Sequence, residues 1–161
     1  ILRGMSSFRC LAMDSDSAAR FRSLRRDDRG GPVHTRFVDR PGFPCRHCLK
    51  QGAMGEEMLL ASWDLPRPQG PYWTPSPIFV HAHDCPRAEL ADRLPETVVE
   101  NPLVSLRHYD GDGMCLYDLG IVVPGEAAEA ALRARISDPR VAFVNIHTAR
   151  PGCWLVRVEK G

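Results

Sequence analysis

Proline is so frequent between Trp63 and Pro77 that this segment restricts what the chain can fold into. Five of its 15 residues are prolines, and proline lacks the amide hydrogen that a helix or a central strand needs. The sequence therefore predicts a long loop from Trp63 to Pro77. Such loops are often lids or binding segments, and Trp63, Tyr72 and Trp73 would give this one an aromatic surface. The alternative is a stiff loop that covers an edge of the core.

The rest of the chain is also rich in turn-forming residues. It has 13 glycines and 14 prolines among 161 residues, so we expect short elements with many connections rather than a bundle of long helices. With 43% hydrophobic and 25% charged residues, the composition is that of one globular domain, which we place at residues 8–161. Residues 1–7 are interpreted as a disordered or extraneous start.

The chain has no apolar run near the length of about 18 residues that a membrane span needs. Its first residues also lack the apolar stretch and the cleavage site of an export signal. We therefore expect a cytoplasmic protein with no membrane partner. In that compartment the six cysteines would be thiols or metal ligands rather than disulfides.

Basic residues are concentrated in the first fifty residues, which hold eleven Lys and Arg against five Asp and Glu. The other 111 residues hold ten against fifteen. This asymmetry allows a module that binds phosphate or nucleic acid with its basic N-terminal third. Because no aromatic residues are interleaved with the basic ones in a binding pattern, we favour an ordinary solvated surface and expect no nucleic-acid partner.

Hydrophobic periodicity and capping residues predict an α+β fold with a largely antiparallel sheet. Asp14 or Ser15 can cap an N-terminal helix from about Ser17 to Arg26. A second helix, from about Glu126 to Ile136, should precede the last two strands. The Asp-Gly repeat at 110–113 should turn a hairpin. The strands are predicted at Phe8–Met13, Arg36–Asp39, Glu57–Ser62, Ile78–Ala82, Leu103–Tyr109, Met114–Val123, Val141–His147 and Cys153–Val158.

Two groups of cysteine and histidine could bind a metal. Cys45-Arg46-His47-Cys48 is a Cys-x-x-Cys turn, which lets both sulfurs face one centre at about 2.3 Å, the length of a zinc–sulfur bond. In the segment 81–85, alternation along an extended chain would place His81, His83 and Cys85 on one side. Sulfur and imidazole together are the ligands that suit zinc.

The metal-binding tetrad that this pattern predicts is Cys45, Cys48, His81 and Cys85, with His83 or His47 able to replace a member. Because four protein ligands leave no open position for water, we expect the zinc to be structural. The sequence has neither a glycine-rich phosphate loop nor a serine nucleophile elbow. It therefore assigns no reaction.

Other interpretations of these cysteines stay open. They can be buried thiols without a ligand, because free cysteine is among the most buried residue types. Cys45 and Cys48 can be a redox pair, although no helix of any length follows them as it does in thioredoxin-like enzymes. Cys45 can also be the nucleophile of a thiol-dependent enzyme, with His81 or His147 as its base.

The remaining cysteines and the last hairpin carry weaker signals. Cys10 and Cys115 each lie in an apolar strand pattern and are expected in the core. His147, Thr148 and Arg150 gather near Cys153, a group that we interpret as turn structure.

Several strings of residues occur in a recognisable order: PCRHCL at 44–49, GEEMLL at 55–60, PY at 71–72, PIFVHA at 77–82, RHYDGDG at 107–113 and ARPGC at 149–153. In this order they resemble the bacterial family catalogued as domain of unknown function 1203, over roughly Phe8 to Val158. The resemblance implies a single domain of bacterial origin, but the family has no assigned reaction and supplies no catalytic residues. Asn145 and Thr148 stand where relatives often carry His and Asn, and some relatives lack the second cysteine of the pair.

The proline-rich loop connects two segments that we expect near the metal. It follows the strand after the Cys-x-x-Cys turn and precedes the strand that contains His81. We therefore predict that the loop covers the side of the domain where Cys45 and His81 lie. A small-molecule ligand could then bind beneath it.

Overall fold

The computed structural model describes residues 7–161, so the start predicted at residues 1–7 lies outside it except for Ser7. Within these residues, short strands alternate with short helices in the predicted α+β arrangement. The strands are β1 (Phe8–Leu11), β2 (His34–Phe37), β3 (Glu57–Asp64), β4 (Pro75–His81), β5 (Glu89–Ala91), β6 (Val104–Tyr109), β7 (Ile121–Val123), β8 (Phe143–Thr148) and β9 (Trp154–Lys160). The α-helices are α1 (Ser15–Leu24), α2 (Glu96–Val99) and α3 (Ala128–Ile136).

Six strands form one sheet in the order β5-β1-β9-β8-β6-β7, and every pair of neighbours in it is antiparallel. Helix α3 packs on one face of this sheet. Its residues Leu132 and Ile136 lie four positions apart, and both are fully buried in the core between helix and sheet. The helix predicted from Glu126 begins as a 3-10 turn at Gly125–Ala127 and becomes α-helical at Ala128.

The other three strands form a second antiparallel sheet in the order β2-β3-β4. In this sheet Asp64 lies opposite Pro75 and Ser62 lies opposite Pro77. The prediction of a loop over Trp63–Pro77 is therefore wrong at both ends. Proline fits here because β4 is an edge strand, in which alternate amide positions point away from the partner and need no hydrogen.

The two sheets meet at a pair of tryptophans. The rings of Trp63 and Trp154 lie 5.0 Å apart between centroids, and both side chains are almost fully buried. Trp154 also donates its backbone amide to Ser76 Oγ at 2.9 Å. The expectation that Trp63 offers loop surface is wrong, because its indole packs against a strand near the other end of the sequence.

The connection between β3 and β4, residues 65–74, lies at the opposite end of the hairpin from His81. It packs on the six-stranded sheet. The Arg67 carbonyl accepts a hydrogen bond from Asn145 Nδ2 at 3.0 Å, and the Arg67 guanidinium lies 5.2 Å from the ring centroid of Phe143. The prediction that this loop covers Cys45 and His81 is therefore wrong. A small molecule bound beneath it would lie away from Cys45 and His81.

The first helix forms close to its predicted position. Asp14 caps α1 by accepting a hydrogen bond from the Ser17 amide at 2.8 Å. The helix begins and ends about two residues earlier than predicted. It begins directly after its cap Asp14, and it ends at Leu24 because Arg25 adopts a left-handed conformation with a φ of 53°. None of the helices in residues 7–161 is long and apolar enough to cross a membrane.

The hairpin after β6 is shorter than predicted. The turn at Asp110–Gly113 forms, with the Gly113 amide donating to the Asp110 carbonyl at 3.1 Å. The strand predicted at Met114–Val123 is reduced to Ile121–Val123 because the chain first forms a 3-10 helix at Tyr117–Leu119. Cys115 is consequently half-buried instead of lying in the core. The sequence did not predict β5 or α2.

Candidate metal centre

The Cys-x-x-Cys segment is a tight turn that directs both sulfurs to one side. The Leu49 amide donates to the Cys45 carbonyl at 3.0 Å, and the Cys45 amide donates to the Lys50 carbonyl at 2.9 Å. Leu49 has a φ of 57°, the left-handed conformation that lets the chain reverse directly after Cys48. The turn buries both thiols, Cys45 completely and Cys48 to 8% exposure.

The free edge of β4 attaches to this turn. An edge strand has unpaired amide and carbonyl groups on its outer side. Here the Phe79 carbonyl accepts a hydrogen bond from the Arg46 amide at 2.9 Å. The His81 amide points to the Cys45 sulfur at 3.4 Å. These two contacts place His81 beside the turn.

Four side chains converge at this point. The ligand atoms of Cys45, Cys48, His81 and Cys85, named here the Cys/His cluster, all lie within 4.8 Å of one another. The Cys45 and Cys85 sulfurs are 3.9 Å apart, and the Cys48 sulfur is 3.5 Å from His81 Nδ1. A tetrahedral zinc ion with these ligands has edges of about 3.8 Å between sulfurs and about 3.5 Å between sulfur and nitrogen. The cluster could therefore hold a metal ion.

Cys85 reaches the cluster because the chain bends after β4. The strand ends at His81 and residues 82–83 form a bend. His83 is exposed, and its ring stacks on that of His81 with the centroids 4.9 Å apart. The expectation that alternation places His81, His83 and Cys85 on one side is wrong. His81 and Cys85 meet through the bend, and His83 lies outside the cluster.

Two nitrogen groups contact the Cys85 sulfur from outside the cluster. Arg22 Nη2 donates to it at 3.2 Å, and His47 Nδ1 lies 3.3 Å from it. The other ring nitrogen of His47 is 2.9 Å from Ser15 Oγ. His47 therefore flanks the cluster instead of belonging to it. The Arg22 N–H group is a charged donor, which stabilises a sulfur in its charged form.

A carboxylate stands behind His81. Glu56 Oε2 is 3.5 Å from His81 Nε2, on the far side of the ring from Cys48. Glu56 is itself held by the Ala53 amide at 2.7 Å and by His83 Nε2 at 2.9 Å. A metal-binding histidine commonly has a carboxylate at its second ring nitrogen, and that carboxylate orients the ring.

Glu56 and Arg22 were not predicted from the sequence. Glu56 could have been found, because an antiparallel pair that places Met58 opposite His81 brings the residues before β3 next to those after β4. No comparable pattern in the sequence indicates Arg22. It lies on α1, and no strand pairing connects that helix with the cluster.

The residues of the cluster differ in their pKa values. Hydrogen bonds from the Cys48 and Cys85 side chains hold the pKa of the Cys45 thiol far below its ordinary value, and the bond to Cys45 raises the pKa of Cys48. Hydrogen bonds to the Cys45 and Cys85 sulfurs raise the pKa of His81 to about 10. These hydrogen bonds favour the thiolate form of Cys45 and the protonated form of His81. A metal that bound here would displace protons from Cys48 and His81.

The last hairpin forms turn structure, as predicted. His147 is 2% exposed and its Nδ1 lies 2.9 Å from the Gly152 carbonyl. Burial lowers the pKa of His147 to about 4. Thr148 Oγ1 accepts the Cys153 amide at 2.9 Å. Within residues 7–161, His147 forms no hydrogen bond with Cys45, so the structure does not contain that nucleophile–base pair.

Ion pairs neutralise part of the basic N-terminal third. Arg20 pairs with Asp28 at 2.8 Å, and Arg29 pairs with Asp64 at 3.3 Å. Arg22 is directed at the Cys85 sulfur. These contacts agree with a solvated surface, and binding of phosphate or nucleic acid there stays a prediction.

A comparison with protein families found one match. A family model described as Protein of unknown function (DUF1203) matches residues 42–160, a span that contains the whole Cys/His cluster. No curated protein and no solved structure was found to match the chain. The match identifies related proteins but supplies no activity, so the function has to be inferred from the chemistry of the cluster.

Proposed function

We propose that this chain, which belongs to the DUF1203 family of proteins of unknown function, binds one structural zinc ion through Cys45, Cys48, His81 and Cys85. One observation carries the proposal: four zinc-type ligand atoms lie within 4.8 Å of one another, at separations close to the edges of a tetrahedron. Sulfur and imidazole donors favour zinc over magnesium or calcium, which prefer oxygen.

The surroundings of the cluster also fit a zinc ion. Three thiolates around a divalent ion give the site a net charge of about −1. The Arg22 guanidinium, which points at the Cys85 sulfur, offsets that charge. Glu56 lies where the carboxylate behind a metal-binding histidine usually lies. Both partners are available before any metal arrives.

A zinc ion here would join parts of the fold that are distant in sequence. Cys45 and Cys48 belong to the turn before β3, His81 ends β4, and Cys85 lies on the way to β5. The three-stranded sheet would thereby be fixed to the edge of the six-stranded one. This linking role, with all four positions filled by protein, supports a structural ion instead of a catalytic one.

The thiol-dependent or redox enzyme centred on Cys45 is less well supported. A nucleophile must be reached by its substrate, and Cys45 has no exposed surface. Its sulfur is surrounded by the His81 amide and the Cys85 sulfur. The redox alternative makes a distinct prediction, a Cys45–Cys48 disulfide in oxidised protein that contains no metal.

Metal analysis of protein purified without added zinc tests the proposal. We expect about one zinc per chain. Cys48→Ser should weaken zinc binding more than about 100-fold, because even partners behind the ligands contribute up to that much. Cys115→Ser is the matched control, a half-buried cysteine outside the cluster, and should retain the zinc.

Two results would contradict the proposal. One is protein that neither contains nor takes up zinc and whose cysteines all react in the native state. The other is equal zinc affinity in Cys48→Ser and Cys115→Ser, which would place the metal elsewhere.

A further inference from the structure

A cavity of about 310 Å³ opens directly onto the Cys/His cluster. Three of the four cluster residues line it, namely Cys48, His81 and Cys85. Cys45, the most buried of the four, does not. One triangular face of the cluster is therefore turned towards a space large enough for a small molecule.

Cys85 is the cluster residue that another metal ligand could most easily replace. It is half-buried, whereas the other three are buried. It lies in the segment 82–88, which has no helix or strand. Its sulfur receives the Arg22 donor and lies against His47 Nδ1. If its bond to a metal broke, the Arg22 guanidinium would still stabilise the charge on the sulfur.

We infer that this cavity is the route by which zinc enters and leaves, and that it binds a small anionic thiol that takes the place of Cys85 on the metal during transfer. The inference rests on the proposed zinc site. A metal site needs an access route, and this cavity connects the cluster with solvent.

The lining of the cavity indicates the class of ligand. A sulfur donor matches the ligand that it replaces, because zinc in this site is already held by sulfur. The cations Lys50 and Arg87 line the cavity together with one carboxylate, Glu89. The lining outside the cluster therefore carries one excess positive charge, and Lys50 supplies the cation that is free to meet a carboxylate, because Arg87 donates to the Ala12 and Met13 carbonyls. Leu90 and its neighbours supply an apolar wall. A short apolar chain with a thiol at one end and a carboxylate at the other satisfies all three features.

The exchange step is a substitution without electron transfer. The incoming thiolate forms one zinc–sulfur bond and the bond to Cys85 breaks, so the number of bonds to the metal is unchanged. When the incoming thiol carries a proton, that proton passes to water. The freed Cys85 thiolate stays beside Arg22. Zinc would then leave as donor atoms of the chelator replace the incoming thiol and the three remaining protein ligands, one new bond to the metal for each bond that breaks.

Zinc transfer from the loaded full-length chain to an excess of a chromophoric chelator tests the inference. The probe is 3-mercaptopropionate, compared with propionate, which lacks the thiol, and with 2-mercaptoethanol, which lacks the charge. We expect the transfer rate to rise with 3-mercaptopropionate and to saturate, because the thiol binds before it reacts. Propionate should have no effect, and 2-mercaptoethanol should act more weakly at equal thiolate concentration.

Two variants locate the effect. Leu90→Trp fills the cavity and should abolish the thiol-dependent acceleration while the zinc content stays unchanged. Its matched control, Val122→Trp, adds the same side chain on β7 at the opposite edge of the sheet, where Val122 is 54% exposed. Lys50→Gln changes an exposed residue and should reduce the advantage of 3-mercaptopropionate over 2-mercaptoethanol by about threefold.

The outcomes separate the two proposals. Purified protein that neither contains nor takes up zinc, and whose cysteines all react in the native state, refutes the zinc site. A zinc-loaded protein whose transfer rate ignores the thiol, or responds equally in Leu90→Trp and Val122→Trp, refutes the cavity route. If Leu90→Trp does not fold, an unchanged thiol preference in Lys50→Gln overturns the inference.

Discussion

A histidine buried in the core should make this protein less stable in acid. His108 lies on β6 with no exposed surface, on the same side of the strand as Val104 and Leu106. Neither of its ring nitrogens has a hydrogen-bond partner in the described part of the chain. Burial, assisted by the positive charge of Arg135, lowers the pKa of His108 from 6.5 to about 4.

The direction of the effect follows from the two protonation states. The unfolded chain takes up a proton on this histidine near pH 6.5, whereas the folded chain does so near pH 4. Its contribution to stability is therefore complete above about pH 6.5 and is lost as the pH falls towards about 4. For these pKa values, the free energy of unfolding decreases by about 2 kcal/mol between about pH 7.5 and about pH 5.

Urea unfolding of the wild type and of His108→Leu over this pH range measures the effect. Leucine fills the site without a titratable group, so the wild type should lose about 2 kcal/mol more than the variant. His147, whose pKa is also lowered to about 4, and the Cys/His cluster are present in both proteins, so their acid sensitivity cancels in the comparison. A constant difference between the two proteins across the range would refute the reasoning.

Two other substitutions test the surroundings of the cluster and the packing of the fold. Glu56→Gln should lower zinc affinity about tenfold, because it weakens the carboxylate partner of His81. Chelator competition measures the affinity, and the neighbouring Glu57→Gln is the control that should not change it. Equal losses of affinity in the two variants would show that Glu56 does not position His81. Gly125→Ala would place a Cβ 2.1 Å from the Val98 carbonyl oxygen and should lower the free energy of unfolding by about 3 kcal/mol or more in thermal denaturation. Gly111→Ala meets nothing within 4 Å and is the control, and comparable stability of the two variants would contradict the close packing at Gly125.

The features that the sequence predicted correctly are those that neighbouring residues determine. Asp14 caps α1 through an amide three residues away. The Asp110–Gly113 turn closes through a hydrogen bond between its own ends. The Cys-x-x-Cys turn belongs to the same class, which is why its two cysteines could be paired by inspection.

The features that it missed depend on partners far along the chain. Nothing near Pro75 shows that β4 has a neighbour on one side only, and that fact decides whether a strand tolerates proline there. Trp63 is buried because Trp154 covers it. A division of the strands into two sheets is not encoded in the periodicity of any single strand.

The candidate site was predictable in composition and not in geometry. His81 and Cys85 could be chosen for their ligand atoms, but the bend that unites them replaced the alternation expected of an extended chain. Because of the bend, His83 lies outside the cluster, where its ring stacks on that of His81. The cavity beside Cys85 arises from the path of residues 86–90. No sequence motif predicts that path.

Strand β9 is the last of the described strands in sequence, but it lies inside its sheet, between β1 and β8. During synthesis β1 therefore keeps one edge unpaired until β9, near the other end of the described residues, has been made. The segment that contains β2, β3, β4 and the Cys/His cluster has left the exit tunnel long before that point. With the zinc site proposed above, a nascent chain would bind the ion while the larger sheet is still incomplete, so metal supply and translation would act on the same folding intermediate.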